Sequence, residues 1–173
     1  MLAAQSFSAR IDGDQLRIAL PRLHFIGGEA LNRLRDGVTV KYQVELSALD
    51  PNNRVLARSE QQFAISYDLW EEKFAVSNLG PSSRSISHLS ADRAEAWCVD
   101  NISVPVAAVS GNPTFWMRLD YRVVDATPSA ETADNSGFTL SGLIDIFSRR
   151  ARKEQLRGSE QIGPFRLESL KKQ

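Results

Sequence analysis

The stretch that decides the fold is VTVKYQVELS, residues 38–47. Its apolar side chains recur at every second position from Val38 to Leu46, and polar side chains occupy the positions between them. Because successive side chains of a β-strand point to opposite faces, this alternation predicts a strand with one packed face and one wet face. The same alternation recurs in TFWMRLDYRVV, residues 114–124, and predicts a second strand of this kind.

Turn residues connect further alternating segments on either side of residues 38–47. Asp12-Gly13-Asp14 lies between two short alternating runs and predicts a β-hairpin near the N-terminus. Asp50-Pro51-Asn52-Asn53 predicts the turn into a return strand that continues to Leu69. A tight turn or bulge at Trp70–Lys73 is then expected before a further strand. The chain is therefore predicted to form long antiparallel ribbons.

Helical patterns are short. Residues 27–37 predict a brief helix that ends at Gly37, and Ser90 is a candidate N-cap for a second one. Strands do not alternate regularly with helices, so a parallel βαβ sheet is not expected. The predicted fold class is mostly β, a single antiparallel β-sandwich with short helices and a C-terminal amphipathic helix. We predict a sandwich domain over residues 1–125, a linker over 126–137, and a helical segment over 138–173 docked on the sandwich.

Charge narrows the range of functions. The chain has 173 residues, and its 21 basic and 21 acidic side chains give a net charge of zero, which argues against a general nucleic-acid binder. Residues 139–173 hold eight basic and four acidic side chains, a net charge of +4, so residues 1–138 carry −4. The two parts could attract one another, or the tail could meet an anionic partner.

Residue types that carry chemistry do not form a cluster in this sequence. The two histidines, His24 and His88, have no ligand-type residues at metal spacing. Cys98 lies between Trp97 and Val99, which predicts a buried structural thiol rather than a nucleophile. No glycine-rich phosphate loop is present. We therefore predict no catalytic residue, no cofactor and no metal site, and a protein that is not an enzyme.

The C-terminal part carries an amphipathic stripe that runs into basic residues. This stripe is either packed on the sandwich or free to meet a protein partner or anionic lipid at the membrane surface. The candidate interaction surface comprises Leu140, Leu143, Ile144, Phe147, Arg149, Arg150, Arg152 and Lys153.

Few residues bear on the cellular compartment of the protein. With Cys98 as the single cysteine, no intrachain disulfide can form, which is compatible with the cytoplasm and with the periplasm. Residues 1–5 are Met-Leu-Ala-Ala-Gln and run straight into patterned sequence. Small residues before a first strand are typical of a trimmed secretory precursor to which a start methionine has been added. No apolar run approaches the ~20 residues of a membrane-spanning helix.

Three stretches together resemble a known family. They are GVTVKYQVEL (37–46), ISYDLWEEKFAV (65–76) and FWMRLD (115–120). Their order is similar to that of an uncharacterised bacterial family, a domain of unknown function in predicted exported, β-rich proteins. The resemblance covers about residues 37–124. It implies a periplasmic or cell-envelope location and a non-enzymatic role, and it supplies no catalytic residues.

These observations favour an envelope-associated protein that acts through protein–protein interaction with an unknown protein partner. The exposed ribbon edges and the C-terminal helix are the expected contact surfaces. One alternative is a module that binds a lipid or another apolar ligand between sheet and helix. An enzyme of unknown class is the third, and convergent titratable groups in a deep pocket would favour it.

Overall fold

The computed structural model describes residues 7–124 and 157–172. In chain order the elements are β1 (Ser8–Asp12), β2 (Gln15–Ala19), α1 (Gly28–Arg35), β3 (Val40–Leu49), β4 (Val55–Asp68), β5 (Lys73–Asn78), β6 (Ser85–Leu89), α2 (Ala91–Asp100), β7 (Val104–Pro105), a 3-10 helix (Val106–Val109), β8 (Phe115–Val124), β9 (Arg157–Phe165) and α3 (Leu167–Leu170). The predicted mostly-β, sandwich-like fold is confirmed.

Two antiparallel sheets make up the fold. The larger has the strand order β6-β5-β4-β3-β8-β9, and the smaller has the order β1-β2-β7. The predicted strand at residues 38–47 becomes β3 and lies near the centre of the larger sheet, where β4 and β8 pair with it on either side. The strand with the clearest alternation therefore has a hydrogen-bonded neighbour on each edge, and its alternating burial shows one packed face.

The core lies between the larger sheet and a layer formed by the smaller sheet, α1 and α2. The inner face of the larger sheet buries Val40, Tyr42, Val44, Leu46, Phe63, Ile65, Phe115, Met117 and Leu119. The opposite layer contributes Ala9, Leu16, Ile18, Ala30, Leu34, Ala94, Cys98 and Val104. The inward register predicted from sequence is therefore correct, with Tyr67, Tyr121 and Val123 half-buried at its margins.

Local sequence sets the ends of several elements. Gly13 has φ of +63° in the two-residue turn between β1 and β2, which favours glycine. Helix α1 ends at Arg35 and is terminated by Gly37, whose φ is +83°. The N–H of Gly37 donates to Leu34 O, and the N–H of Val38 donates to Arg33 O, the two bonds of a Schellman motif.

One sequence prediction is wrong within the described C-terminal part. Residues 138–173 are predicted to be helical, but Arg157–Phe165 forms β9 and pairs with β8. The edge of β8 supplies backbone partners that a local pattern cannot reveal, and Gly158 leaves room for Tyr121 to lie over the strand. A Cβ atom at Gly158 would be 2.3 Å from the Tyr121 hydroxyl. The short helix α3 follows, with Leu167 buried.

Several predictions fall on residues that are not described. The linker at 126–137 and the stripe Leu140–Phe147 lie outside the described ranges, and so does the basic run Arg149–Lys153. Within residues 7–124 and 157–172, no helix has the length and apolar character needed to span a membrane.

Candidate functional site

The loop between β4 and β5, residues Leu69–Glu72, is called the hairpin tip below. Asp68 organises it, because Asp68 Oδ1 accepts hydrogen bonds from the N–H of Trp70 at 2.8 Å and from the N–H of Glu71 at 3.0 Å. Below the tip, the rings of Tyr67 and Phe74 pack with centroids 4.8 Å apart. The hairpin tip therefore has a defined conformation, as the tight turn predicted at Trp70–Lys73 requires.

The hairpin tip presents apolar surface to solvent. Trp70 is 96% exposed and Leu69 is 57% exposed, the two highest values among the exposed large hydrophobic residues of the described chain. An isolated exposed leucine is normal on a protein surface. An indole held almost wholly in water next to a second apolar side chain is unusual, because indole is among the side chains that gain most from burial.

The hairpin tip carries acidic groups. Glu71 and Glu72 belong to it, Asp68 precedes it, and Lys73 follows it along the chain. His88 on β6 lies beside them, with its Nδ1 2.6 Å from Glu71 Oε2. The surface of the hairpin tip therefore combines an apolar centre with acidic neighbours.

The tip conformation is expected to depend on pH through Asp68. The N–H groups of Glu71 and Trp70 bond the carboxylate and lower the pKa of Asp68 below its usual value. The stabilisation that these two hydrogen bonds give to the hairpin tip is therefore complete above the ordinary aspartate pKa. It is lost as the pH falls through the lowered pKa of Asp68. We expect the amide NMR shifts of Trp70 and Glu71 to titrate below the usual aspartate range, and Asp68→Asn to abolish that transition. Titration at the ordinary aspartate value would contradict this account.

A second feature is the buried carboxylate of Glu95 on α2, which is 3% exposed. Its Oε1 accepts hydrogen bonds from the N–H of Phe25 at 2.8 Å and from the N–H of Ile26 at 2.7 Å. Its Oε2 lies 3.1 Å from His24 Nδ1. A buried charge is tolerated only when it is paired and hydrogen-bonded, and both carboxylate oxygens here have partners.

The loop that donates to Glu95 is itself held by the core. The Tyr42 hydroxyl donates to Phe25 O at 3.1 Å, and the Phe25 ring packs against the rings of Tyr42 and Tyr121. Burial raises the pKa of Tyr42, and the negative charge of Glu95 raises it further. The same two causes, in the same order, raise the pKa of Cys98, which is fully buried. Both groups are thereby kept neutral, and burial keeps the Cys98 thiol from acting as a nucleophile.

Asp92 completes a cluster with His24 and Glu95. Asp92 Oδ1 lies 3.6 Å from His24 Nδ1, and one ligand atom from each of the three residues lies within 4.8 Å of the others. The cluster borders a surface pocket of about 340 Å³ between β2, the following loop and α2. Arg10 and Asp100, also on this pocket, form an ion pair of 3.1 Å.

The site residues predicted from sequence differ from those that the structure brings together. The candidate interaction surface at Leu140, Leu143, Ile144, Phe147, Arg149, Arg150, Arg152 and Lys153 lies outside the described residues. The exposed Trp70 and the buried Glu95 are not among the site residues predicted from sequence. The sequence does carry one signal for Glu95, because Asp92 and Glu95 are three residues apart and share a helix face. That spacing is common on solvated helices and does not reveal His24, which comes from a distant loop.

Comparison with known proteins gives no relative for this chain. No protein-family model, no curated protein and no solved structure matches it.

Proposed function

We propose that this protein acts without catalysis, by binding a protein partner in the cell envelope, and that the hairpin tip is its contact surface. The observation that carries the proposal is the exposure of Trp70, which is 96% accessible on an ordered turn. The envelope location is supported by the sequence resemblance over residues 37–124.

The energetics of binding favour such a tip. Tryptophan is enriched at interface hot spots, where truncation to alanine typically costs about 2 kcal/mol or more. Binding is weakened when a loop must first be ordered. Asp68 and the Tyr67–Phe74 ring pair already order the tip, so little of that cost remains to be met on binding.

The charges of the hairpin tip indicate the chemistry of the partner. Glu71 and Glu72 follow Trp70 directly in the chain, so a matching surface has an apolar pocket with lysine or arginine at its rim. The same acids would be repelled by the negative surface of an anionic membrane. A basic, apolar-centred protein surface is therefore the favoured partner.

The strand edges of the larger sheet are poorer contact surfaces than expected from sequence. The pairing of β6 with β5 is irregular between Phe74 and Val76, and His88 in β6 has φ of +60°. The pairing of β9 with β8 is irregular opposite Gly163 and Pro164. Bulges and proline on edge strands discourage the addition of another strand. The C-terminal stripe and basic run stay a proposed second contact surface.

Site-specific photo-crosslinking tests the proposal. A photoreactive residue at position 70 is compared with one at position 55, because Val55 is 44% exposed at the other end of β4, about 40 Å away along the strand. We expect one discrete protein adduct from position 70 in host cells and none from position 55. Equal adducts from both positions, no adduct from position 70, or an adduct with lipid would overturn the proposal.

A further inference from the structure

We propose that His24, Asp92 and Glu95 form a binding site for a divalent transition-metal ion, with Zn²⁺ as the ion that best fits the ligand set. The three side chains come from two separate parts of the chain, the loop after β2 and helix α2. The site is independent of the hairpin tip.

The distances within the cluster suit a tetrahedral ion. Zinc bonds of 2.0–2.2 Å at tetrahedral angles place neighbouring ligand atoms about 3.3–3.6 Å apart. His24 Nδ1 lies 3.1 Å from Glu95 Oε2 and 3.6 Å from Asp92 Oδ1. Both distances are within a few tenths of an ångström of the tetrahedral spacing, and the ligand atoms of all three residues lie within 4.8 Å of one another.

Glu95 is already oriented for this role. The N–H groups of Phe25 and Ile26 occupy its Oε1, which leaves Oε2 directed at the imidazole. Supporting hydrogen bonds of this kind orient the carboxylate ligands of metal sites. The exposed side chains His24 and Asp92 are 62% and 81% accessible, so a hydrated ion can reach the cluster from the solvent.

The pocket beside the cluster can accept a cation. The pocket of about 340 Å³ leaves room for a water molecule at a fourth coordination position. Arg10 is the basic side chain lining this pocket, and Asp100 pairs with it at 3.1 Å. Its charge is thus largely offset where it would otherwise repel the ion.

The donor set selects the class of metal. Imidazole nitrogen favours zinc and its first-row neighbours over magnesium and calcium, which prefer oxygen ligands alone. One imidazole with two carboxylates is therefore a site for Zn²⁺, and Co²⁺ can replace zinc as a coloured probe. A direct binding measurement distinguishes a metal site from a hydrogen bond between His24 Nδ1 and Glu95 Oε2.

The test uses the untagged full chain after treatment with a chelator. Calorimetric titration with Zn²⁺ should show one site, and Co²⁺ should give the visible spectrum of a tetrahedral complex. His24→Gln and Asp92→Asn should each weaken Zn²⁺ affinity by about tenfold or more. Both residues are exposed, so folding should be retained, as circular dichroism can confirm.

One matched variant serves as the control. His88→Gln removes the other histidine, which also lies beside a carboxylate. It should not change the affinity by more than about twofold. Absence of Zn²⁺ binding, or equal affinity in wild type, His24→Gln and Asp92→Asn, would overturn the proposal. Loss of binding only in His88→Gln would do the same and would place the ion at Glu71.

Discussion

Removal of residues 157–173 is expected to abolish the cooperative fold. The deletion takes away β9, whose Ile162 is buried, and α3, whose Leu167 is buried as well. It also exposes the backbone edge of β8, together with Met117 and Leu119, which are fully buried in the intact chain. Losing two buried aliphatic side chains and uncovering two more removes about 5 kcal/mol or more, comparable with the whole stability of a typical domain.

Thermal unfolding and size-exclusion chromatography measure this effect. The truncated chain should lack a cooperative transition and should elute as aggregate, because an unpaired apolar edge recruits other chains. A chain that ends at Leu170 loses exposed lysines, retains β9 and should behave as wild type. A soluble, cooperatively unfolding protein that lacks residues 157–173 would show that β9 is not part of the folded unit.

Glu95→Ala is expected to produce the largest effect of any substitution considered. The N–H groups of Phe25 and Ile26 would lose their acceptor inside the protein. Hydrogen bonds to a charged group are each worth roughly 1.5–3 kcal/mol, so we expect a loss of about 3–5 kcal/mol in the free energy of unfolding. Denaturant unfolding in the presence of a chelator measures this loss without any contribution from bound metal.

Two further variants separate the role of the carboxylate from that of the helix. Glu95→Gln keeps an oxygen acceptor and should cost less than half as much as Glu95→Ala. Asp92→Ala lies on the same helix but is exposed, and it should change the stability by less than about 0.5 kcal/mol. A change below about 1 kcal/mol in Glu95→Ala would mean that water replaces the carboxylate and that the loop is not held by it.

The central strands could be predicted from sequence because the pattern of their own residues indicates which face is buried. β3 and β8 alternate apolar and polar side chains, and each packs one face against the core. β6 and β9 were missed because most of their side chains are exposed, so no alternation marks them. Such edge strands form because a neighbouring strand offers backbone partners, and that information lies elsewhere in the chain.

The candidate sites were less predictable than the fold. Trp70 visibly interrupts the alternation of β4, but an interruption alone does not say whether an indole folds back or stays in water. Glu95 looks like an ordinary helix residue, and its partners at Phe25 and Ile26 are about 70 positions away. The contacts that define both sites are long-range or conformational, and a single sequence does not encode them in any local pattern.

The affinity of the crosslinked partner for the Trp70→Ala variant tests the central claim most directly. With both proteins purified, we expect the dissociation constant to rise about thirtyfold or more, as the loss of a hot-spot tryptophan worth ~2 kcal/mol implies. Val55→Ala should bind as wild type, and the unfolding curves of the two variants should match within about 0.5 kcal/mol. Unchanged affinity in Trp70→Ala would contradict the account and would move the contact away from the hairpin tip.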